Sequence, residues 1–499
     1  MTVPGFGSPI VRAPANGTRT IVHLTAEYSP YARTGGLAEA VKGLAEFQVK
    51  GGADVVVFVP LYRTVRDHAP DLAPLGRPIQ VELGYRGEEV RFFREVHPKK
   101  GPKVVFVDIP SAFARGGLYG EGGKDYTDNA RRFALFSRAV LDAIPRLIAG
   151  PVLVHAHDWH TSLALLYMRS YAELQQRYAD TPTVLSVHNA GYQGHFSASL
   201  LNDCGIPREV YNFRHAEWYG RINFLKCGLT FADMVVTVSP THAQELRTPG
   251  GGFGLQEVFQ MLGNRFTGIT NGIDQSAWDP STDDQITANY SVADPSNKAR
   301  CKAALQRSFG LPQRKRTPLF GFTGRIVSQK GLDLLLNSHE VWNLDAQFVF
   351  LGAGEARYEQ ALLQLARARP RHVGVQLDFT DRMEHRLMAG ADIFLMPSQY
   401  EPCGLTQLRA QRYGALPVGR RVGGIADTID DDASGFLFDE FQPAALDRGI
   451  SRALARFHDP AAWLPRMKTA MLRDFGWERS AERYADVYRR AMDIAHRRG

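Results

Sequence analysis

Cysteine is scarce: the 499-residue chain has four, Cys204, Cys227, Cys301 and Cys403. They stand far apart with no CxxC pair, which argues against a disulfide framework and a zinc site and fits a reducing cytoplasm. No apolar run reaches the roughly 18 residues a membrane helix needs, and the first twenty residues lack the apolar stretch of a secretory signal. Residues 1–19 read as a flexible leader. Low complexity is missing too, since 47 Gly and 28 Pro are near ordinary globular usage. The 59 basic and 52 acidic residues leave a net charge of only +7. The basic side chains are scattered, and the densest run, Gln313-Arg-Lys-Arg316, lies between Pro312 and Pro318 as a solvated loop would. Nucleic acid is therefore not an expected partner, and neither is a membrane.

What the chain does contain is alternation. Short β-branched runs recur between helical patterns at 20–25, 54–59, 103–108, 152–155, 183–187 and 234–238, and again at 318–323, 346–351, 373–377, 392–396 and 416–419. Such a series predicts βαβ units in an α/β fold, as two doubly wound Rossmann-like domains whose strand ends face a central cleft. The boundary is expected near 265, giving domains over 20–265 and 266–475, with 476–499 a closing helix.

Candidate sites fall at strand ends. Ser29-Pro-Tyr-Ala-Arg-Thr-Gly-Gly36 follows the first strand, and its Gly35 and Gly36, with Arg33 beside them, suit an anion at a helix start; tight packing alone would also explain the glycines. The turn lacks GxGxxG, which argues against an ordinary dinucleotide fingerprint. His155-Ala-His-Asp-Trp-His160 does not match the HxHxDH metal spacing, so no metal is expected there. It reads either as a site rim, with Asp158 orienting hydroxyls and Trp159 offering a face for a sugar ring, or as a tightly hydrogen-bonded strand end. His188 and Asn189 open the Gly-spaced loop HNAGYQG and form a candidate ligand contact.

In the second half, Arg325 and Lys330 flank a βα turn ahead of a helix expected over 332–342, an arrangement suited to a diphosphate. The most informative segment runs from Asp392 to Arg409. A buried strand leads to Glu401, then to a helix start formed by Cys403, Gly404, Leu405 and Thr406, so a carboxylate sits beside an anion-binding turn. A carboxylate there is costly without a role.

Together HAHDWH at 155, HNAGYQG at 188, FLKCGLTFAD at 224, VSPTHAQE at 238, NGID at 271, GRIVSQKG at 324, AGADIFLMPSQYEPCGLTQL at 389 and RVGGIADT at 421 resemble the bacterial glycogen synthase and plant starch synthase family. The resemblance covers nearly the whole chain. It implies a GT-B fold and a retaining glucosyltransferase, with the acceptor on the N-terminal side, the nucleotide sugar on the C-terminal side, and 476–499 packing back on the first domain. ADP-glucose is the implied donor, with UDP-glucose open, and an α-1,4-glucan the acceptor; no cofactor is implied. Carried over by position, Arg325 and Lys330 neutralise the diphosphate, assisted by Gly36 and the Leu405 and Thr406 amides. Glu401 and His188 lie near the donor glucose, Asp158 orients the sugars, Asn271 bonds near the diphosphate, and Phe379 stands against the base. Two departures from the family pattern stand out: Arg33 where KTGGL has lysine, and Arg409 where the wider retaining class often has a second glutamate.

Overall fold

The computed structural model describes residues 19–68, 71–98 and 100–498. Apart from Arg19, the leader expected over 1–19 lies outside the described residues. The chain divides into two compact units. One comprises the residues up to Val238, Ala243–Ile269, and those from Trp477 onward; the other comprises Ser239–His242 and Thr270–Gly476.

The first unit is built on a sheet whose parallel strands run, edge to edge, Phe266–Gly268, Met234–Thr237, Thr183–Val187, Val152–His157, Thr20–Leu24, Val55–Pro60 and Lys103–Asp108. Val55–Pro60 is buried at every position, as a strand covered by helices on both faces must be. Beyond Lys103–Asp108 the sheet turns antiparallel through Arg86–Glu95, with Leu72–Pro74 and Ile79–Leu83 paired to it. The alternation predicted a mostly parallel sheet and did not pick out this hairpin. Its strand Ile79–Leu83 buries every second residue, the mark of a sheet with one wet face.

The second unit carries six parallel strands in the order Val373–Gln376, Gln347–Leu351, Leu319–Thr323, Ile393–Met396, Leu416–Arg420, Phe436–Phe438. Both sheets are doubly wound. In each, the unit's first strand, Thr20–Leu24 or Leu319–Thr323, lies mid-sheet with later strands on either side. The chain leaves that strand in opposite directions, so each unit has a switch point at the strand's carboxyl end, where ligands of open α/β sheets bind.

One expectation about a helix needs adjusting. The helix expected over 332–342 stops at Leu336. Ser338 ends it, donating from Oγ to Asp447 (2.6 Å) while accepting the Val341 N–H (3.1 Å), which starts a separate short turn. The last helix, Glu478–Arg498, belongs to the first unit and buries Tyr484, Val487, Tyr488 and Ala491 against its sheet.

The seat for that segment is cut by a glycine. A Cβ on Gly43, in the helix Gly36–Lys50, would lie 2.1 Å from Nε1 of Trp477. Gly43→Ala should therefore displace the indole and cost about 1–3 kcal/mol, the usual cost of overpacking. A fall of several degrees in the melting temperature, read by scanning calorimetry, is the expected outcome; an unchanged midpoint would mean the indole has room to move.

Candidate active site

At the switch point of the first unit, Glu27 follows the central strand and is buried, at 3% exposure. Its carboxylate accepts the Thr34 backbone N–H (2.7 Å), the Thr34 hydroxyl (2.5 Å) and the Tyr119 hydroxyl (2.7 Å). This brace fixes the loop that delivers Gly35 and Gly36. Both glycines are exposed, Gly35 stands at the start of the helix Gly36–Lys50, and no side chain caps that helix. Its first amides are left for a ligand or solvent. Arg33 is exposed and 3.2 Å from Glu39.

The neighbouring strand Val152–His157 ends beside this loop. Asp158 takes a left-handed backbone, φ 55°, immediately after it, so strand geometry stops at His157. The buried Asp158 carboxylate accepts the N–H of His188 (2.7 Å) and, at longer range, that of Asn189 (3.4 Å). Thus it ties together two of the predicted site segments. Burial pushes its carboxyl up to about 7, and the Glu27 charge adds to the shift. His188 is half-buried, and burial holds its imidazole down to about 3, so the ring is neutral at pH 7.

Trp159 is corrected by its surroundings. It is buried, with His160 stacked at 4.0 Å and Phe133 edge-on at 5.2 Å. Gly194 presses on it so closely that a Cβ there would be 2.6 Å from the ring. Its face is filled by protein and offers no platform for a sugar; this tryptophan sets the loop beginning at His188. The three buried histidines His23, His155 and His157 have ring nitrogens within 4.8 Å of one another. Each of those nitrogens already has a hydrogen-bond partner.

The switch point of the second unit gathers the other candidates. Lys330 Nζ is 2.6 Å from Glu401 Oε2, which also accepts the Ser398 hydroxyl (3.1 Å). Glu401 is buried, whereas Lys330 is half-buried and Arg325 exposed. The two loops are stitched together by backbone: Gln399 N–H to Gln329 O (2.8 Å), and the Gln329 amide to Tyr400 O (3.1 Å). Two glycine sites make the approach possible. Gly331, φ 73°, lies where a Cβ would be 1.8 Å from Pro397 O, and a Cβ on Gly423, φ 41°, would be 2.0 Å from Glu401 O. Gly424 then donates its N–H to that same carbonyl (3.0 Å). RVGGIADT is thus the clamp on the Glu401 loop.

Leu405 precedes the seven-residue helix Thr406–Arg412 and supplies no side-chain cap. The buried Cys403 takes the backbone N–H of Asn271 at its sulfur, and burial pushes its thiol up to about 12. Phe379 is 40% exposed. Arg409 is turned into the protein, paired with Glu384 at 3.1 Å and stacked 4.2 Å over Trp278.

Two switch-point sites, one holding a lysine-paired carboxylate beside an exposed arginine and one a histidine and a buried acid, are arrangements suited to a polar, anionic substrate. Comparisons with known proteins identify the family. Residues 20–261 match the model of the starch synthase catalytic domain and 306–463 that of glycosyl transferases group 1. A glycogen synthase of Anaeromyxobacter dehalogenans is 40% identical over 477 residues, covering 94% of this chain and 98% of the relative. The chain belongs to the glycogen and starch synthase family. A solved family member, the catalytic domain of starch synthase IV from Arabidopsis thaliana bound to ADP and acarbose, superposes with a TM-score of 0.87 at 32% identity, covering 95% of this chain and 99% of that one. Sucrose-phosphate synthase from Thermosynechococcus elongatus shares the fold, with a TM-score of 0.62 at 17% identity. This member of the synthase family is accordingly a hexosyltransferase with two Rossmann-like domains of the GT-B type.

Asp158 yields a signed pH prediction. Its folded pKa lies above the ordinary carboxylate value, so the folded state holds the proton more tightly than the unfolded chain. The associated stability is complete below about pH 4 and is lost as pH rises through about 7. Asn tolerates left-handed backbone and its Oδ1 still accepts the His188 N–H. Asp158→Asn should match wild-type stability below about pH 4 and exceed it increasingly between about pH 4 and about pH 7, the gain levelling off above that, in paired thermal melts. A difference independent of pH would contradict the assignment.

Proposed function

We propose that this chain transfers glucose from ADP-glucose to the non-reducing 4-hydroxyl of an α-1,4-glucan with retention of the α configuration, elongating glycogen. The observation that carries the reading is the contact of Lys330 with Glu401, 2.6 Å apart at the switch point of the second unit. The names of the relatives and the ADP held by the Arabidopsis neighbour support donor and acceptor.

The reaction breaks the bond from C1 of glucose to a diphosphate oxygen, forms one from C1 to the acceptor oxygen, and releases the acceptor proton. Negative charge collects on the departing diphosphate. Arg325 and Lys330 answer it. A cation about 4 Å from a phosphate oxygen contributes about 4 kcal/mol at an effective dielectric near 20. The Leu405 and Thr406 amides add dipoles of the same sign, and Asn271 bonds beside them. Glu401 faces the donor sugar, where positive charge develops at the anomeric carbon. His188, Asn189 and Asp158 orient the hexose, and Phe379 lies against the base. With two cations on the diphosphate no divalent ion is required. We assign the acceptor to the first unit and the nucleotide to the second. Four free, buried cysteines fit action in the cytoplasm, and among the described residues no helix is long and apolar enough to cross a membrane.

The direct assay offers labelled ADP-glucose and UDP-glucose separately with glycogen and digests the product with an α-1,4-specific amylase. Amylase-sensitive label from ADP-glucose is expected, unchanged by EDTA. Label on a small acceptor only, or none at all, would replace the reading with another glycosyltransferase or a glucan-binding protein. Glu401→Ala and Lys330→Ala should each lower kcat by about a hundredfold or more; glucan elongation unchanged by Glu401→Ala would end the catalytic assignment.

A further inference from the structure

Behind His188 lies a file of buried polar groups that the reaction itself does not call on. Gln48, on the helix Gly36–Lys50, has its Oε1 2.8 Å from His23 Nε2 and its Nε2 2.7 Å from the Tyr488 hydroxyl of the C-terminal helix. His23 Nδ1 is 2.9 Å from His157 Nε2, and His157 Nδ1 is 3.0 Å from His188 Nε2. His23 and His157 are fully buried. A side branch runs from the Tyr488 hydroxyl to His155 Nδ1 (2.9 Å) and from His155 Nε2 to Ser186 Oγ (2.8 Å).

A neutral imidazole has one N–H and one lone pair, so each ring in such a file passes on a direction. An amide oxygen only accepts. His23 must therefore carry its proton on Nε2 and present a lone pair at Nδ1. His157 must then donate from Nε2, which leaves its Nδ1 as a lone pair. His188 must donate from Nε2 in turn. Its Nδ1 is left as the acceptor on a half-buried ring. Turning the Gln48 amide over would reverse every bond and put a proton on His188 Nδ1 instead.

We propose that Gln48, His23 and His157 are positioning residues that lock His188 in the tautomer whose Nδ1 accepts a hydrogen bond from a sugar hydroxyl, with Tyr488 anchoring the far end of the Gln48 amide. The proposal rests on the reading that His188 meets the hexose. It gives a function to buried groups with no part in bond making, and makes the C-terminal helix part of the specificity apparatus. Neutrality of the file has a physical basis. Burial holds His23 down to about 4 and His155 and His157 well below the ordinary imidazole value. The pattern is the one by which a hydrogen bond at one ring nitrogen decides the role of the other.

The test has a spectroscopic and a kinetic arm. Full-length protein labelled with 15N-histidine, with rings assigned by single substitutions, reports the tautomer of each ring through long-range proton–nitrogen correlations. His23, His157 and His188 are expected to carry the proton on Nε2. A proton on Nδ1 of His188 would overturn the proposal. Gln48→Met removes both amide bonds at similar length and should lower kcat about tenfold or more, with KM for glucan within about twofold. Gln48→Glu keeps an oxygen toward His23 while its other oxygen takes the Tyr488 proton, and should recover most of kcat. Wild-type kcat in Gln48→Met, or no recovery in a folded Gln48→Glu, would also overturn it. If Gln48→Met fails to fold, the wild-type spectrum decides. That spectrum is read without substrate, so a protein that transfers no glucose would defeat the functional reading while the tautomer result stood separately.

Discussion

A buried carboxylate needs a partner, and at Glu401 the partner is Lys330. An unpaired charge there would carry a desolvation penalty of several kcal/mol, and the ammonium 2.6 Å away relieves it. Much of the second unit serves this pairing. The left-handed Gly331 lets the lysine loop touch Pro397, and the Gly423–Gly424 step closes on the Glu401 carbonyl from the other side. The interaction also explains how an acid and two cations can coexist at one switch point. The lysine that neutralises the carboxylate is partly open to solvent, and so is placed to serve a second negative charge when one arrives.

The first unit solves a different problem with the same architecture. It holds polar groups at a strand end, and it does so by burying them. Asp158 sits high in the carboxylate range and His188 low in the imidazole range for one reason, desolvation. Asp158 captures the amides of His188 and Asn189, so the strand end at His157 and the loop after Val187 are tied together. Glu27 does the same for the glycine turn through Thr34 and Tyr119.

How much of this was legible in the sequence depended on range. The inner strands of both sheets were visible as β-branched runs, because a strand covered on two faces leaves an uninterrupted apolar signal; the three-residue edge strands Phe266–Gly268 and Phe436–Phe438 were not picked out. Glu401, Lys330 and Arg325 were visible because local βα turns place them, and turn chemistry is written in adjacent residues. Glu27 was missed: its partners lie at Thr34 and Tyr119, the latter 92 residues away, and no spacing rule connects them. Gln48 and Tyr488, 440 residues apart, were beyond any local pattern. Trp159 was misread as a platform because exposure is a tertiary property, decided by Gly194, Phe133 and His160. The antiparallel edge of the first sheet was passed over for another reason. Ile79–Leu83 alternates apolar and polar residues over one short strand, a weaker signal than a continuous apolar run, and its register with Arg86–Glu95 is set by the turn at Gly84 and Tyr85.

The central claim is that Lys330 and Arg325 receive the diphosphate while Glu401 serves the hexose. A crystal structure of the full chain soaked with ADP tests it most directly. The account predicts phosphate oxygens within hydrogen-bond distance of the Lys330 ammonium and the Arg325 guanidinium, with the Glu401 carboxylate still beside Lys330. Phosphates seated away from both cations would contradict it.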